Sequence, residues 1–111
     1  MPDTIETSVL DDLEEAVGAD FLVELIETFL AEAPGMMADL QAGHDSGDTD
    51  GLRRAAHSLK SNASTFGAPI LAEAARQIEV GGVGASPDAT LGAVADALDA
   101  ASVALRERIN A

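Results

Sequence analysis

The sequence predicts an all-α protein: an antiparallel four-helix bundle preceded by a short extra N-terminal helix. Three observations lead there. Twenty-two of the 111 residues are alanine, only three are aromatic, and Trp and Tyr are absent. Alanine is the best helix former, whereas strands draw on β-branched and aromatic residues. Apolar residues make up 47% of the chain and recur at spacings of three and four, the period of an amphipathic helix. The periodic segments are separated by short runs of Gly, Pro, Asp and Ser, so neighbouring helices must fold back on one another. The length suits one hydrophobic core, and residues 1–111 are read as a single domain without internal repeats.

The elements follow in order. Ser8 is placed as the cap of the short first helix, with Asp11 three residues on as a weak capping box, and Gly18 stops it. Asp20 then caps a long helix carrying Phe21, Leu22, Leu25, Ile26, Phe29, Leu30, Met36, Met37 and Leu40, ending near Gly43. Pro34 falls inside it and predicts a kink, with a split into two helices as the lesser alternative. "GHDSGDTDG" reads as a loop. A third helix spans about Asp50 to Phe66 and ends at Gly67. A fourth has Pro69 in its first turn and Leu71, Ala74 and Ile78 on its apolar face. "GGVGASP" is the most flexible connection. Ser86-Pro87 opens a last helix with Leu91, Val94, Leu98, Ala101, Leu105 and Ile109 inward.

Charge excludes several functions. Six basic against twenty acidic residues give a net charge of -14, which repels a phosphate backbone and an anionic membrane surface alike. Nucleic acid and membrane are therefore not expected partners. With no cysteine there is no disulfide framework, thiolate metal site or Cys nucleophile. The acidic N-terminal stretch lacks a signal-peptide pattern, and no apolar run approaches membrane-spanning length, so a cytoplasmic protein is expected.

Against that background "AAHSLKSNASTFGA" (Ala55 to Ala68) stands out. It holds one of the two histidines. From Gly51 to Ala72 there are three basic residues and no acidic one, whereas the other 89 residues hold three basic and twenty acidic. On a helical wheel at about 100° per residue, Leu52, Ala56, Leu59, Ala63 and Phe66 lie within about 40° of one line, the buried stripe. Lys60, Arg53, Ser64, His57 and Ser61 fall on a neighbouring face. The neighbours of His57 at three and four residues are Arg53, Arg54, Lys60 and Ser61. A cationic island on an acidic surface suits an anionic group, and an exposed, neutral imidazole nitrogen is a nucleophile. With Lys60 one turn away to hold oxygens, the natural electrophile is a phosphoryl group.

At these residues the sequence resembles the histidine phosphotransfer (HPt) domains of two-component phosphorelays. The family pattern is His, any residue, Leu-Lys-Gly, small residues, then Gly-Ala and Leu. Here it stands as His57-Ser58-Leu59-Lys60-Ser61-Asn62-Ala63, with Phe66-Gly67-Ala68 and Leu71 following. "LRRAA", Pro34 within "FLAEAPGMMADL" and Gln77-Ile78-Glu79 are similar too. The resemblance implies a four-helix bundle whose His57 accepts a phosphoryl group from an aspartyl phosphate on a receiver domain and passes it to another receiver aspartate. It further implies that Lys60 stabilises the phosphate and that Gly67 and Ala68 close the helix tightly where a partner docks. Implied partners are response-regulator receiver domains and a hybrid histidine kinase. The chain would be a carrier and not an enzyme, with no cofactor of its own, Mg²⁺ being supplied at the receiver's site. Arg53 and Arg54 are added as docking residues from charge and position, with Ser61 and Ser64 near the phosphate. Ser61 departs from the usual Gly, which implies an altered rate or partner preference. Asn62 points away from His57 on the wheel. A single phosphorylation face on a small, highly charged surface suits a monomer.

Other readings are weaker. A non-catalytic adaptor that binds receivers without carrying phosphate would not need His57 and Lys60 together. "SGDTDG" (Ser46 to Gly51) resembles part of a calcium loop, but its first position is Ser46 and its twelfth is His57, not a bidentate Glu. Helix capping by Asp48 or Asp50 explains it. Neither His44 nor His57 has a Glu three residues earlier, so the bundle metal motif is missing. His44 is read as solvated and Met36-Met37 as core or near-core filling. A hydrolase using His57 as base would need an orienting carboxylate, and none lies in the same helical turns. No glycine-rich nucleotide loop is present, since "GGVG" lacks the lysine and the strand.

Overall fold

The apolar period appears as five helices: α1 (Thr7–Val17), α2 (Ala19–Ser46), α3 (Thr49–Thr65), α4 (Pro69–Gly81) and α5 (Pro87–Asn110). The computed structural model describes residues 4–110, so Met1–Asp3, at the head of the acidic N-terminal stretch, and Ala111 lie outside it. No strand occurs among the described residues. α2 to α5 form the four-helix ring: α2 packs on α3 and α5, and α4 packs on α3 and α5, while α1 lies on α2.

The core is built from the stripes expected of each helix. α3 contributes Leu52, Ala56, Leu59, Ala63 and Phe66, all buried. α5 contributes Leu91, Val94, Leu98, Ala101 and Leu105, with Ile109 half-buried at the end. Each fully buried Leu or Ile stabilises the fold by about 1.5–3 kcal/mol relative to exposure. The alanines in these stripes let the helix axes approach. Phe29 of α2 meets Phe66 at the end of α3 with ring centroids 5.2 Å apart, a tilted pair within the core. Met36 and Met37 pack half-buried against the core.

Several details differ from the expectations. Ser8 is not a cap: it lies inside α1, whose N-cap is Glu6 with no side-chain bond. Glu6 is placed instead by its own backbone, which donates to the Gly67 carbonyl and accepts from Val9. Asp20 is likewise in the first turn of α2, behind the cap Gly18, where its charge still suits the helix dipole. Phe21 is 49% exposed and Ala74 gives its place in the core to Ala75. α2 continues unbroken through an exposed Pro34, so the two-helix alternative fails.

The largest change is at Gly43. It was expected to stop the helix, yet it is buried in the middle of the last turns of α2. A Cβ there would sit 2.9 Å from the Leu52 backbone nitrogen and 3.0 Å from its Cα. Gly43 is therefore a contact between helix backbones, and the expected loop shrinks to Gly47 and Asp48. Gly47 takes the left-handed conformation, φ 70°. Its amide donates to the His44 carbonyl and that of Asp48 to the Gly43 carbonyl, the paired bonds of a Schellman ending. Asp48, not Asp50, then caps α3 by accepting from the Gly51 amide at 2.9 Å.

Candidate functional site

α3 and α4 form a hairpin whose turn is set by Gly67 at φ 70°. The Gly67 amide donates to Ser64 O and the Ala68 amide to Ala63 O, again a Schellman pattern, and Pro69 starts α4. His57 lies ten residues before Gly67 and Glu79 eleven after Ala68. In an antiparallel hairpin those near-equal distances put the two side by side.

They are in contact. His57 is exposed, its side chain retaining 62% of its accessible surface, and its Nδ1 hydrogen-bonds Glu79 Oε2. The other carboxylate oxygen, Oε1, accepts from Lys60 Nζ at 2.5 Å. The Glu79 side chain is only 17% exposed and is held between the two. The Lys60 ammonium, and next the His57 ring, hold the Glu79 carboxyl below the ordinary glutamate value of 4.5. An ionised carboxylate only accepts hydrogen bonds, so the proton of the neutral imidazole is on Nδ1. That leaves the lone pair on Nε2, at the exposed edge of the ring. A nucleophile at a fixed position and in a fixed tautomer is the chemistry this arrangement offers.

The same linkage has a pH consequence. A carboxyl whose folded value is depressed stabilises the fold above its unfolded value and loses that contribution as pH falls through the folded one. Wild type is expected to lose thermal stability more steeply than Glu79→Gln as pH drops below 4.5. Parallel unfolding curves of the two proteins over that range would show that the carboxylate link contributes nothing.

The other expected residues separate into two groups. Arg53, Arg54, His57, Ser58 and Glu79 line one cleft. Lys60, Ser64, Gly67, Ala68 and Arg76 line a second, together with Glu6 and Val9 of the α1 region. Gly67 and Ala68 are buried at the floor of that second cleft, beneath the start of α1, so they shape the turn and offer little surface. Ser61 and Ser64 are exposed. Arg53 turns back to Asp50, 3.2 Å away, while Arg54 has no ion pair among the described residues.

Glu79 was missed as a site residue, and it changes two readings. The window without carboxylates holds along the chain but not in space, because α4 inserts one against His57. Glu79 therefore supplies the orienting carboxylate that the turns of α3 lack. What still separates the site from a Ser-His-Glu triad is that, among the described residues, no serine hydroxyl bonds His57. Two signals pointed to Glu79: its place beside the buried Ile78, at the edge of α4's apolar face, and its mirror position across the Gly67 turn.

The four-helix bundle thus carries, on one hairpin, a solvent-exposed histidine anchored by a carboxylate. The family model described as "Hpt domain" matches residues 24–106, three quarters of the chain. The chain belongs to the Hpt domain family, whose members are phosphorelay histidine carriers without their own nucleotide site. Among solved structures it is similar to the histidine-containing phosphotransfer protein B (HptB) of Pseudomonas aeruginosa PAO1. The TM-score is 0.90 at 23% identity, over 99% of this chain and 97% of that one, which shows a shared fold. No curated protein matches the chain. Among the described residues no helix is long and apolar enough to cross a membrane.

Proposed function

We propose that His57 is the phosphoryl acceptor and donor of a relay between receiver domains. In this reading Nε2 attacks the phosphorus of a receiver's aspartyl phosphate. The P–Nε2 bond forms as the P–O bond breaks, and the aspartate leaves as carboxylate. The ring becomes an imidazolium whose Nδ1–H stays on Glu79, so no proton has to move during transfer. The negative Glu79 stabilises the positive charge that develops on the ring. Lys60 tethers Glu79 through its other carboxylate oxygen. The reverse step onto a second receiver regenerates neutral His57. Mg²⁺ and the electrostatic stabilisation of the receiver's carboxylate belong to the receiver, so this chain needs no cofactor. A hybrid histidine kinase and response regulators, in the cytoplasm, are the partners that such chemistry calls for, with the carrier acting as a monomer.

The observation that carries this reading is the exposed imidazole held through Nδ1 by an ionised carboxylate, which an adaptor would not need. The test is intact-mass spectrometry after incubation with phosphoramidate, followed by acid treatment and peptide mapping. One phosphate that is lost in acid and maps to His57 is expected. An acid-stable phosphate, or one mapping to a serine or to His44, would overturn the assignment.

A further inference from the structure

The resemblance makes Lys60 the cation that holds the phosphoryl oxygens, yet its ammonium is already engaged by Glu79 Oε1 at 2.5 Å. That carboxylate also binds Nδ1, so Lys60 is tied through Glu79 to the nitrogen that does not react. Side chains on a helix lean toward its N-terminus and cover the preceding turn. For His57 that turn carries Arg53 and Arg54, four and three residues earlier. The cleft next to the imidazole is lined by these arginines, Ser58 and Glu79, and Lys60 does not line it.

The two arginines are not equivalent. Arg53 reaches away from the histidine to Asp50 at 3.2 Å. Arg54 is exposed and without an ion pair among the described residues. It stands on the ridge between the His57 cleft and the groove of α2 and α3, which it lines with Asp39 and Asp48 and without bonding either. A guanidinium presents a planar fork of donors matched to phosphoryl oxygens.

We infer that Arg54 is the cation that binds the oxygens of the phosphoryl group on His57 Nε2, in transfer and in the phosphohistidine, while Lys60 serves to hold Glu79. This rests on the carrier reading above. In the reaction with phosphoramidate the P–N bond of the donor breaks as the P–Nε2 bond forms. Ammonia leaves with the proton that the zwitterionic donor already carries. The product is an imidazolium bearing a dianionic phosphoryl group, and Arg54 neutralises part of that charge.

The experiment compares labelling rates by phosphoramidate in wild type, Arg54→Gln, Arg54→Lys, Arg53→Gln and Lys60→Gln, with circular dichroism as the check on folding. Glutamine is a good helix former, and position 54 is exposed, so folding should be unaffected. A charge-assisted hydrogen bond to a developing anion is worth about tenfold or more in rate. Arg54→Gln should therefore label about tenfold more slowly and lose its label faster. Arg54→Lys should recover part of the rate, and Arg53→Gln should lose clearly less than Arg54→Gln, because Arg53 is already engaged by Asp50. The ratio of wild type to Arg54→Gln should shrink as salt is raised, because an exposed ionic contact is screened and a packing role is not. Equal rates for wild type and Arg54→Gln, with the loss appearing in Lys60→Gln instead, would overturn the inference and leave the carrier reading standing. A wild type that takes no phosphate on His57 would overturn both.

Discussion

His57→Gln is expected to take up no acid-labile phosphate from phosphoramidate or from a phosphorylated receiver, while keeping its fold and its thermal stability. Glutamine preserves a polar, helix-compatible side chain at an exposed position, where substitutions usually change stability by within about 0.5 kcal/mol. It removes the one nitrogen with a free lone pair in the cleft. His44 does not substitute for it: it sits half-buried in the last turn of α2 and lacks a carboxylate partner among the described residues. A graded loss belongs to the same series. Glu79→Leu leaves Nε2 in place but frees the ring to rotate and to exchange tautomers. Partners that fix a histidine in this way are worth about 10–100-fold in metal sites, and a slowing of that order is expected here. Glu79→Gln should fall between, because its carbonyl oxygen can still accept from Nδ1–H. Intact-mass time courses measure all three. Undiminished labelling of Glu79→Leu would remove the carboxylate from the mechanism, and acid-labile labelling of His57→Gln would remove the histidine.

Gly67→Ala is expected to be the most damaging small substitution in the hairpin. The residue is at φ 70°, where an L side chain costs roughly 1–2 kcal/mol. The added Cβ would lie 2.8 Å from Val9 Cβ and 2.9 Å from the Glu6 carbonyl oxygen, so α1 has to shift. Overpacking of this kind costs roughly another 1–3 kcal/mol, bringing the total to about 2–5 kcal/mol. For a chain of this size the melting temperature should fall by on the order of 10 °C. Urea unfolding followed by circular dichroism gives the free energy directly. A loss under about 1 kcal/mol would show that α1 yields freely and that the turn tolerates a side chain.

The contrast between what could be read in the sequence and what could not is sharpest between α3 and its surroundings. Leu52, Ala56, Leu59, Ala63 and Phe66 follow from helical period alone, because burial of one stripe is a local property of one helix. His57 stands out by the same reasoning, as a histidine placed off that stripe among bases. Gly43 was misread because glycine has two uses that look alike in a sequence. It can end a helix or let two backbones touch, and only Leu52 across the gap tells them apart. The caps at Ser8 and Asp20 failed for a related reason: Gly18 and the Glu6–Gly67 bond had already set where those helices begin. Glu79 is a tertiary residue. Its role depends on the register between α3 and α4, which the turn at Gly67 determines and which no single helix displays.

Because the histidine and its carboxylate come from different helices, the portable unit of this site is a hairpin. Moving residues 52–66 into a foreign bundle would carry over the histidine, the lysine and both arginines, and the motif would still be recognisable by eye. It would leave behind the partner that selects the tautomer. Transplanting Thr49–Gly81 as one piece would bring the carboxylate and the turn that aligns it. A designer copying the motif should therefore copy its reflection across the turn as well, and a search for such sites should score residue pairs mirrored about a left-handed glycine.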